Sequence, residues 1–276
     1  MSSPARPRPA TLSHEVVETV AGVLARARSA LFITGAGLSA DSGLPTYRGI
    51  GGLYEERDPS DGVPVEVALS GSMFARRPEL TWKHLQEIEL ACRGARPNRA
   101  HEIIALISER LERSLVLTQN VDGFHRDAGS KNVIEIHGDI RDLRCPRCGW
   151  HETVTDFSAL SFPPRCPTPA CHAVIRPNVV LFGEALPVEP FQRLEEELAR
   201  GFDVVLSIGT TSVFPYIARP VLIARSEGIP TVEINPGDSE VSDVVDYRLR
   251  AGARDAFKAL WMVYKDLVPR RTRRGH

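Results

Sequence analysis

The sequence predicts an α/β fold, an open, doubly wound parallel sheet that carries a small inserted module. Short apolar runs alternate with segments of helical periodicity along most of the chain, which is typical of parallel strands joined by crossover helices. Residues 141–176 interrupt this alternation, because they are rich in Cys, Pro and Arg and contain no long helical pattern. We interpret this segment as the inserted module.

The predicted elements begin with an amphipathic helix. Between Ser13 and Arg28, apolar residues recur at helical spacing, and Ser13 is expected to be the N-cap. The predicted strands are Ala30–Thr34, Ser114–Thr118, Val133–Ile136, Val179–Phe182, Val204–Ile208 and Thr231–Ile234. Further helical patterns fall at about Met73–Cys92, Asn98–Arg113, Pro187–Arg200, Phe214–Glu227 and Ala253–Lys265. This order predicts the doubly wound sheet.

Composition excludes several classes of protein. The 276 residues contain 34 Lys and Arg against 35 Asp and Glu, so the formal charge is 34 − 35 = −1 and gives no overall case for binding nucleic acid or an anionic membrane. An apolar fraction of 42% with 21 Gly and 21 Pro excludes a collagen-like, coiled-coil or largely disordered chain. The longest uncharged stretch near the middle, Val204–Ala218, is shorter than the ~20 apolar residues of a membrane-spanning helix. We expect a soluble, cytoplasmic protein.

A glycine-rich loop follows the first predicted strand. The hexapeptide Gly35-Ala36-Gly37-Leu38-Ser39-Ala40 fits Gly-x-Gly-x-x-(Gly/Ala), whose backbone N–H groups and following helix can hold a pyrophosphate. A dehydrogenase would also place an acidic residue at the end of a second strand about 20 positions further on. The corresponding region reads RGIGGLYEERDP and is loop-like, so a hydride-transferring dehydrogenase is disfavoured.

Polar or small residues also follow four other predicted strands. They are Gln119, Asn120 and Asp122; His137; Gly209, Thr210, Thr211 and Ser212; and Asn235, Pro236 and Gly237. Ligands of open sheets bind at the carboxyl ends of strands, so these residues are expected to converge on one nucleotide. A histidine exposed there can accept a proton near neutral pH. The residues alone leave open that they form turns, that Asp122 is an N-cap and that His137 is structural.

Four of the five cysteines form two close pairs. Cys145 and Cys148 are separated by two residues, and Cys166 and Cys171 follow 17 residues later with four between them. Four thiolates at two tight knuckles suit tetrahedral Zn²⁺ and leave no position for water, so the metal is expected to be structural. Disulfides are the competing interpretation. The fifth cysteine, Cys92, is expected to be packed on a helix.

Seven blocks of sequence together resemble the sirtuins, the NAD-dependent protein lysine deacylases. Besides the four-cysteine module they are GAGLSADSGLPTYRG (35–49), TQNVDGFHRDAG (118–129), IHG (136–138), VVLFGE (179–184), GTTS (209–212) and INPG (234–237). The resemblance runs in order from about Val16 to Leu267. It implies NAD and Zn²⁺ as cofactors and acyl-lysine proteins or peptides as substrates.

The resemblance also implies roles for individual residues. His137 matches the general base, and Asn120 and Asp122 share the catalytic pocket with Gln119, which lines the nicotinamide and ribose site. The remaining cofactor contacts match Gly35, Ala36, Gly37, Ser39, Ala40, Thr46, Tyr47, Arg48, Gly209, Thr210, Ser212, Asn235, Pro236, Gly237 and Ala253. Tyr47 stands where Phe is more common, and Thr46 where Asp is frequent. Val180, Phe182 and Gly183 belong to the edge that pairs with a substrate peptide.

The implied reaction joins an acyl-lysine oxygen to C1′ of the nicotinamide ribose, releases nicotinamide and moves the acyl group to ADP-ribose. Positioning supplies most of the acceleration, and His137 accepts a proton from a ribose hydroxyl. Two other functions remain open. A protein ADP-ribosyltransferase would use the same electrophile, and a non-enzymatic NAD- and zinc-binding module would have no need of a proton acceptor.

The helix after the cofactor loop bears on the choice of acyl group. The cofactor loop is similar to that of a sirtuin subgroup that prefers acidic acyl groups and binds them with a Tyr-x-x-Arg pair. Alignment on Pro78 and Trp82 puts Leu85 and Ile88 at those two positions. An acyl carboxylate would lose water there without gaining a partner, so we expect acetyl or other uncharged acyl groups to be preferred. The alternative is that Leu85 and Ile88 face the core.

These expectations divide the chain into four regions. Residues 1–12 form a disordered leader, with an organelle presequence as the alternative, and residues 268–276 form a basic, solvated tail without nucleic-acid binding. Residues 13–140 and 177–267 form a Rossmann-like NAD-binding domain. Residues 141–176 form the zinc-binding module.

Overall fold

The computed structural model describes residues 12–45 and 62–268. Its α-helices are α1 (His14–Arg26), α2 (Ala36–Ser39), α3 (Val65–Ala68), α4 (Gly71–Arg76), α5 (Pro78–Cys92), α6 (Arg99–Ser108), α7 (Phe124–Asp127), α8 (Val188–Ala199), α9 (Pro215–Ser226) and α10 (Ala253–Leu267), and a 3₁₀ turn covers Ala40–Ser42. The strands are β1 (Ser29–Thr34), β2 (Arg113–Thr118), β3 (Val133–Glu135), β4 (Gly138–Arg144), β5 (His151–Thr153), β6 (Arg176–Val179), β7 (Val204–Ile208), β8 (Thr231–Ile234) and β9 (Tyr247–Leu249). Among the residues described, no helix has the length and apolar character needed to cross a membrane.

Six parallel strands form the main sheet in the order β3-β2-β1-β7-β8-β9. Strands β1, β2 and β3 thus follow one another toward one edge of the sheet, and β7, β8 and β9 follow one another toward the other edge. The strand order reverses between β1 and β7, and ligands of such sheets bind in the crevice beyond the carboxyl ends of the strands at that reversal. The predicted α/β fold is confirmed.

The carboxyl ends of the central strands lie level with one another. Thr34 at the end of β1 pairs with Thr118 of β2 and with Ile208 of β7, and Ile208 pairs with Ile234 of β8. The residues that follow these strands are thus brought to one edge of the sheet, as the sequence predicts.

Helices cover both faces of this sheet. Phe32 of β1 points to a core with α1, α6 and α10, whereas Leu31 and Ile33 point to a second core with α8 and α9. All three side chains are fully buried. Burial on both faces explains why the central strands read as continuous apolar runs rather than as alternating patterns.

A second, antiparallel sheet in the order β5-β4-β6 lies in the segment that contains the four paired cysteines. Its apolar residues share a core with helix α5. Trp82 of α5 donates a hydrogen bond from Nε1 to the Ile175 carbonyl at 2.8 Å and meets the Phe157 ring edge-on at 5.4 Å. Helix α5 therefore supplies much of the apolar cover that this small sheet needs.

The structure adds elements that were not predicted, namely strands β4 and β5 and the short helices α2, α3 and α7, and it differs from the predicted elements in three further places. The helix predicted from Met73 to Cys92 is divided into α4 and α5 at Arg77, because the residue before Pro78 is driven out of the helical region. The strand predicted over Val179–Phe182 ends at Val179, and Phe182 instead donates its N–H to the Leu69 carbonyl at 2.9 Å. Strand β9 was not predicted, because its sequence YRL has no apolar run.

Candidate functional site

The loops after β1 and β7 meet backbone to backbone at the point where the strand order reverses. Gly37 donates a hydrogen bond to the Gly209 carbonyl at 2.8 Å, and Gly35 donates to the Ile208 carbonyl at 3.1 Å. A Cβ on Gly35 would lie 2.8 Å from the Gly209 oxygen, and one on Gly37 would lie 2.8 Å from the Gly209 Cα. Only glycine allows this approach, which keeps the crevice free of side-chain bulk, and a dinucleotide site needs such space.

A buried chain of hydrogen bonds lines one side of the crevice. Asn120 donates from Nδ2 to the Gly35 carbonyl and to Ser39 Oγ, both at 3.1 Å, and Ser39 Oγ donates to Asp122 Oδ2 at 2.7 Å. Asp122 Oδ1 also accepts from the Phe124 N–H at 2.9 Å, although the N-cap of α7 is Gly123 rather than Asp122. Burial raises the pKa of Asp122, although the bonds from Phe124 and Ser39 act in the opposite direction.

Thr210 connects the loops after β2, β7 and β8. Its hydroxyl oxygen accepts from Gln119 Nε2 at 2.8 Å and from the Ser212 N–H at 3.1 Å, while its carbonyl accepts from Asn235 Nδ2 at 3.0 Å. Ser212 has a positive φ of 54° and is buried. The predicted residues Gln119, Thr210, Ser212 and Asn235 therefore form one connected group.

His137 follows β3 at the same edge of the sheet. Its Nδ1 lies 3.0 Å from the Gln119 carbonyl oxygen, which can only accept, so Nδ1 carries the ring proton and Nε2 has the lone pair. Burial lowers the pKa of His137, while the bond to Gln119 acts against that shift. The next residue must be glycine, because Gly138 has a φ of +83° and a Cβ there would strike the Asn178 carbonyl oxygen.

Tyr216 is a site residue that the sequence analysis missed. Its hydroxyl lies 2.7 Å from His137 Nε2, and its ring stacks on Phe214 at 5.5 Å with an interplanar angle of 15°. Both rings meet the imidazole edge-on. Tyr216 lies in the first turn of α9, just beyond the GTTS block. Its place in the sequence does not indicate a contact with His137, which lies 79 positions earlier.

The segment predicted to pair with a substrate lies beside His137. Val180 donates its N–H to the His137 carbonyl at 2.9 Å, and Val180 and Phe182 are half-buried while Gly183 is exposed. The buried Arg176 holds this segment in place through Glu184, with oxygens at 2.6 and 3.0 Å from its two terminal nitrogens. The segment is thus held by the hydrogen bonds of Val180 and Glu184 and is exposed at Gly183.

A small cavity beside Asp122 receives one of the two predicted acyl-pocket residues. Ile88 borders it, and so do Ala36, Ser39, Leu44, Pro45, Ala91, Cys92, Asn120, Val121 and Asp122. Leu85 is only 1% exposed and packs in the core that α5 shares with the second sheet. Ile88 packs against the same core, so both predicted residues contact it, and Ile88 in addition borders the cavity with residues predicted to contact the cofactor.

The other predicted cofactor residues occupy varied positions. Ala40, Pro236 and Gly237 are exposed, and Ala253 is buried at the start of α10. Asp41, next to Ala40, accepts from the Arg254 N–H at 3.0 Å and so connects the glycine-rich loop to that helix. Thr46, Tyr47 and Arg48 lie outside the described residues, as do residues 1–11 and 269–276 of the predicted leader and tail.

The four paired cysteines converge on one point. The ligand atoms of Cys145, Cys148, Cys166 and Cys171 all lie within 4.8 Å of one another. Cys145 and Cys171 have their sulfurs 3.6 Å apart, and Cys148 and Cys166 have theirs 3.5 Å apart. These separations exceed the ~2.05 Å of a disulfide bond and suit the edges of a tetrahedron with Zn–S bonds of ~2.3 Å. The four cysteines can bind zinc.

The crevice, its histidine and the cysteine cluster define a dinucleotide-binding α/β protein with a metal-binding module.

Comparison with known proteins supports this class and identifies the family. A profile of the Sir2 family matches residues 35–215. The NAD-dependent protein deacylase 2 of Pseudomonas aeruginosa is 50% identical over 246 residues, which cover 88% of this chain and 95% of that protein. The NAD-dependent protein deacylase of Aeropyrum pernix is 39% identical over 246 residues, covering 87% and 94%.

Solved structures of Sir2 homologues are also similar to this chain. The crystal structure of a Sir2 homologue in complex with NAD is similar with a TM-score of 0.80 and 32% identity, and the match covers 95% of this chain and 98% of that one. A Sir2 homologue bound to 2′-O-acetyl ADP-ribose is similar with a TM-score of 0.81 and 33% identity, covering 91% and 97%. The chain belongs to the Sir2 family.

Proposed function

We propose that this Sir2-family chain is an NAD-dependent protein lysine deacylase in which His137 is the general base. The observation that carries this proposal is the state of His137, whose Nδ1 is bound to the Gln119 carbonyl so that Nε2 has the lone pair of a proton acceptor. NAD supplies an electrophilic C1′ and the ribose hydroxyl that receives the acyl group. The crevice beside Gly35, Gly37 and Gly209 has the shape and place for it.

The role of His137 depends on its charge at neutral pH. Because burial lowers its pKa, the ring is neutral near pH 7 and Nε2 has a lone pair available. The Gln119 carbonyl fixes the tautomer and the ring orientation, so the acceptor is in place before the substrate binds. A proton taken from a ribose hydroxyl would stay on Nε2 until it is passed to solvent or product.

Asn120, Ser39 and Asp122 act as an orienting group in this proposal. Asp122 accepts from Ser39, and Ser39 accepts from Asn120, so the direction of every hydrogen bond in the chain is set. Buried, fully paired polar groups are rigid, and rigid polar groups hold a ligand in one geometry. Thr210, Ser212 and Asn235 serve the same purpose on the adenosine side, and Gln119 of the nicotinamide and ribose site is joined to them by its hydrogen bond to Thr210.

Acyl-lysine proteins or peptides are the proposed substrates, with Val180, Phe182 and Gly183 along the edge that receives them. The Val180 N–H joins that edge to the His137 carbonyl, and the ion pair between Arg176 and Glu184 stabilises the turn that follows. Among the described residues that border the cavity at Ile88, Asp122 can carry a negative charge and none is Lys or Arg. A succinyl carboxylate would meet Asp122 there without a cation, which supports a preference for acetyl and other uncharged acyl groups.

Zinc at Cys145, Cys148, Cys166 and Cys171 has a structural role in this proposal. Four sulfur ligands complete a tetrahedron and leave no position for a reacting water. The module of residues 141–176 is small and takes part of its apolar cover from α5, so the metal would stabilise it.

Incubation of the protein with NAD and a panel of acyl-lysine peptides tests the function, with products read by mass spectrometry. We expect free lysine, nicotinamide and acyl-ADP-ribose in equal amounts. A peptide or protein that gains the mass of ADP-ribose would instead show an ADP-ribosyltransferase. NAD binding without any product would show a binding module.

A further inference from the structure

Tyr216 contacts the ring nitrogen of His137 that the proposed reaction uses. Its hydroxyl oxygen lies 2.7 Å from Nε2, and Nδ1 on the other side of the ring lies 3.0 Å from the Gln119 carbonyl oxygen. Since the carbonyl can only accept, the proton is on Nδ1 and the lone pair is on Nε2. The Tyr216 hydroxyl is therefore the donor and occupies that lone pair.

The Tyr216 ring is held firmly in this position. It belongs to the first turn of α9, is half-buried, and stacks on Phe214 with the ring centroids 5.5 Å apart. Burial raises the pKa of Tyr216 to about 12, so the phenol keeps its proton at neutral pH. The hydroxyl therefore donates to neutral His137, and its oxygen can accept from Nε2 once the ring is protonated.

We propose that Tyr216 is a positioning residue whose hydroxyl caps Nε2 of His137 until a substrate hydroxyl displaces it. This inference rests on the proposed role of His137 as the general base. An imidazole nitrogen has one lone pair in the ring plane, so the phenol and a ribose hydroxyl cannot both donate to Nε2. Binding of substrate must break the contact between Tyr216 and His137.

The cap has a consequence for the charge of His137 that a merely structural tyrosine would not produce. The Tyr216 hydroxyl donates to the neutral ring, and once Nε2 is protonated the same oxygen can accept from the new N–H in a stronger, charge-assisted hydrogen bond. Removal of the hydroxyl should therefore make His137 harder to protonate. The variant Tyr216→Phe removes that one oxygen and keeps the ring and its stacking on Phe214.

The test is an NMR titration of His137 in protein without NAD, for the wild type, Tyr216→Phe and the control Tyr247→Phe. Tyr247 is also half-buried but lies on the edge strand β9. The variant His137→Ala assigns the signal among the eight histidines. We expect the midpoint to fall by about 0.4 to 1 pH unit in Tyr216→Phe, the shift that corresponds to the difference between a charge-assisted and a neutral hydrogen bond. It should not move in Tyr247→Phe.

Steady-state kinetics with NAD and an acetyl-lysine peptide provide the second measurement. We expect the acid limb of kcat/KM to shift to lower pH in Tyr216→Phe by the same amount as the NMR midpoint. An unchanged midpoint would overturn the inference. So would a hundredfold fall in kcat, because it would show that the hydroxyl passes the proton on. Failure of all variants to consume NAD would contradict the proposed function, whereas the titration would still report on the contact.

Discussion

Gly37 donates its N–H to the carbonyl of Gly209 at 2.8 Å, which joins the loops after β1 and β7 at the reversal of strand order. Gly209 has a φ of +57°, and a Cβ on it would lie 2.4 Å from the Leu38 nitrogen. The glycines of the first loop are thus required by the second loop as well as by any ligand. The glycine-rich loop, which predicts cofactor binding in the sequence, therefore also makes a packing contact in the fold.

Replacement of Gly209 by alanine should lower both stability and NAD affinity. The positive φ costs about 1–2 kcal/mol for a residue with a Cβ, and overpacking against the Gly37 and Leu38 backbone costs about 1–3 kcal/mol more. We expect the free energy of unfolding in urea to fall by about 2–5 kcal/mol. Gly228→Ala is the control, since Gly228 has a φ of +71° and a Cβ there would have no atom within 4 Å. Equal losses in the two variants would show that the close approach is unimportant.

Removal of one cysteine ligand should remove the metal and weaken the module. We expect about one zinc per chain in the freshly purified wild type, and well under half of that in Cys145→Ser, with a lower Tm and lower activity. Cys92→Ser should keep its zinc, because Cys92 lies outside the four-cysteine cluster. Elemental analysis measures this directly. A wild type without zinc, or a Cys145→Ser variant that retains it, would contradict the assignment.

Stability should decrease as the pH falls below about 6.5, because two histidines are buried in the neutral form. Burial lowers the pKa of His101 to about 4, and burial with the nearby His101 lowers the pKa of His125 well below its usual value. The unfolded chain binds protons at these residues from its ordinary pKa of about 6.5 downward, whereas the folded chain resists until about pH 4 at His101. Each such histidine then costs about 1.4 kcal/mol per pH unit within that window.

Urea unfolding of wild type and His101→Gln between pH 7.5 and pH 5 measures this effect. His101 accepts from the Asn98 N–H at the start of α6, and glutamine can keep that capping contact without titrating. We expect the free energy of unfolding to fall less steeply with pH in His101→Gln. Identical slopes in the two proteins would refute the expectation.

The sequence predicted the sheet and the location of the site because both depend on local patterns. Apolar runs marked five of the six main-sheet strands, and the polar residues after them lie at one edge of the sheet. β9 was missed because an edge strand with the sequence YRL needs no apolar run. The contact of Tyr216 with His137 and the burial of Leu85 depend on long-range packing, which spacing along one helix does not reveal.

Uncharged acyl groups should be better substrates than succinyl groups. We expect kcat/KM for acetyl or butyryl peptides to exceed that for a matched succinyl peptide by about tenfold or more, which corresponds to about 1.4 kcal/mol. Ile88→Arg should raise the ratio of succinyl to acetyl activity, because a cation would then face the acyl carboxylate. Leu90→Arg, on the exposed side of the same helix, should not. A tenfold succinyl preference in the wild type would show that the pocket has been assigned wrongly.

The central claim is that His137 accepts the proton in an NAD-dependent deacylation, and the variant His137→Ala tests it most directly. Calorimetry should show NAD binding close to that of the wild type, because the glycine-rich loops and the chain from Asn120 to Asp122 remain. The rate of acyl-ADP-ribose formation should fall by ~10²–10⁴-fold, the contribution of a general base. Wild-type turnover in His137→Ala, with NAD still bound, would contradict the account.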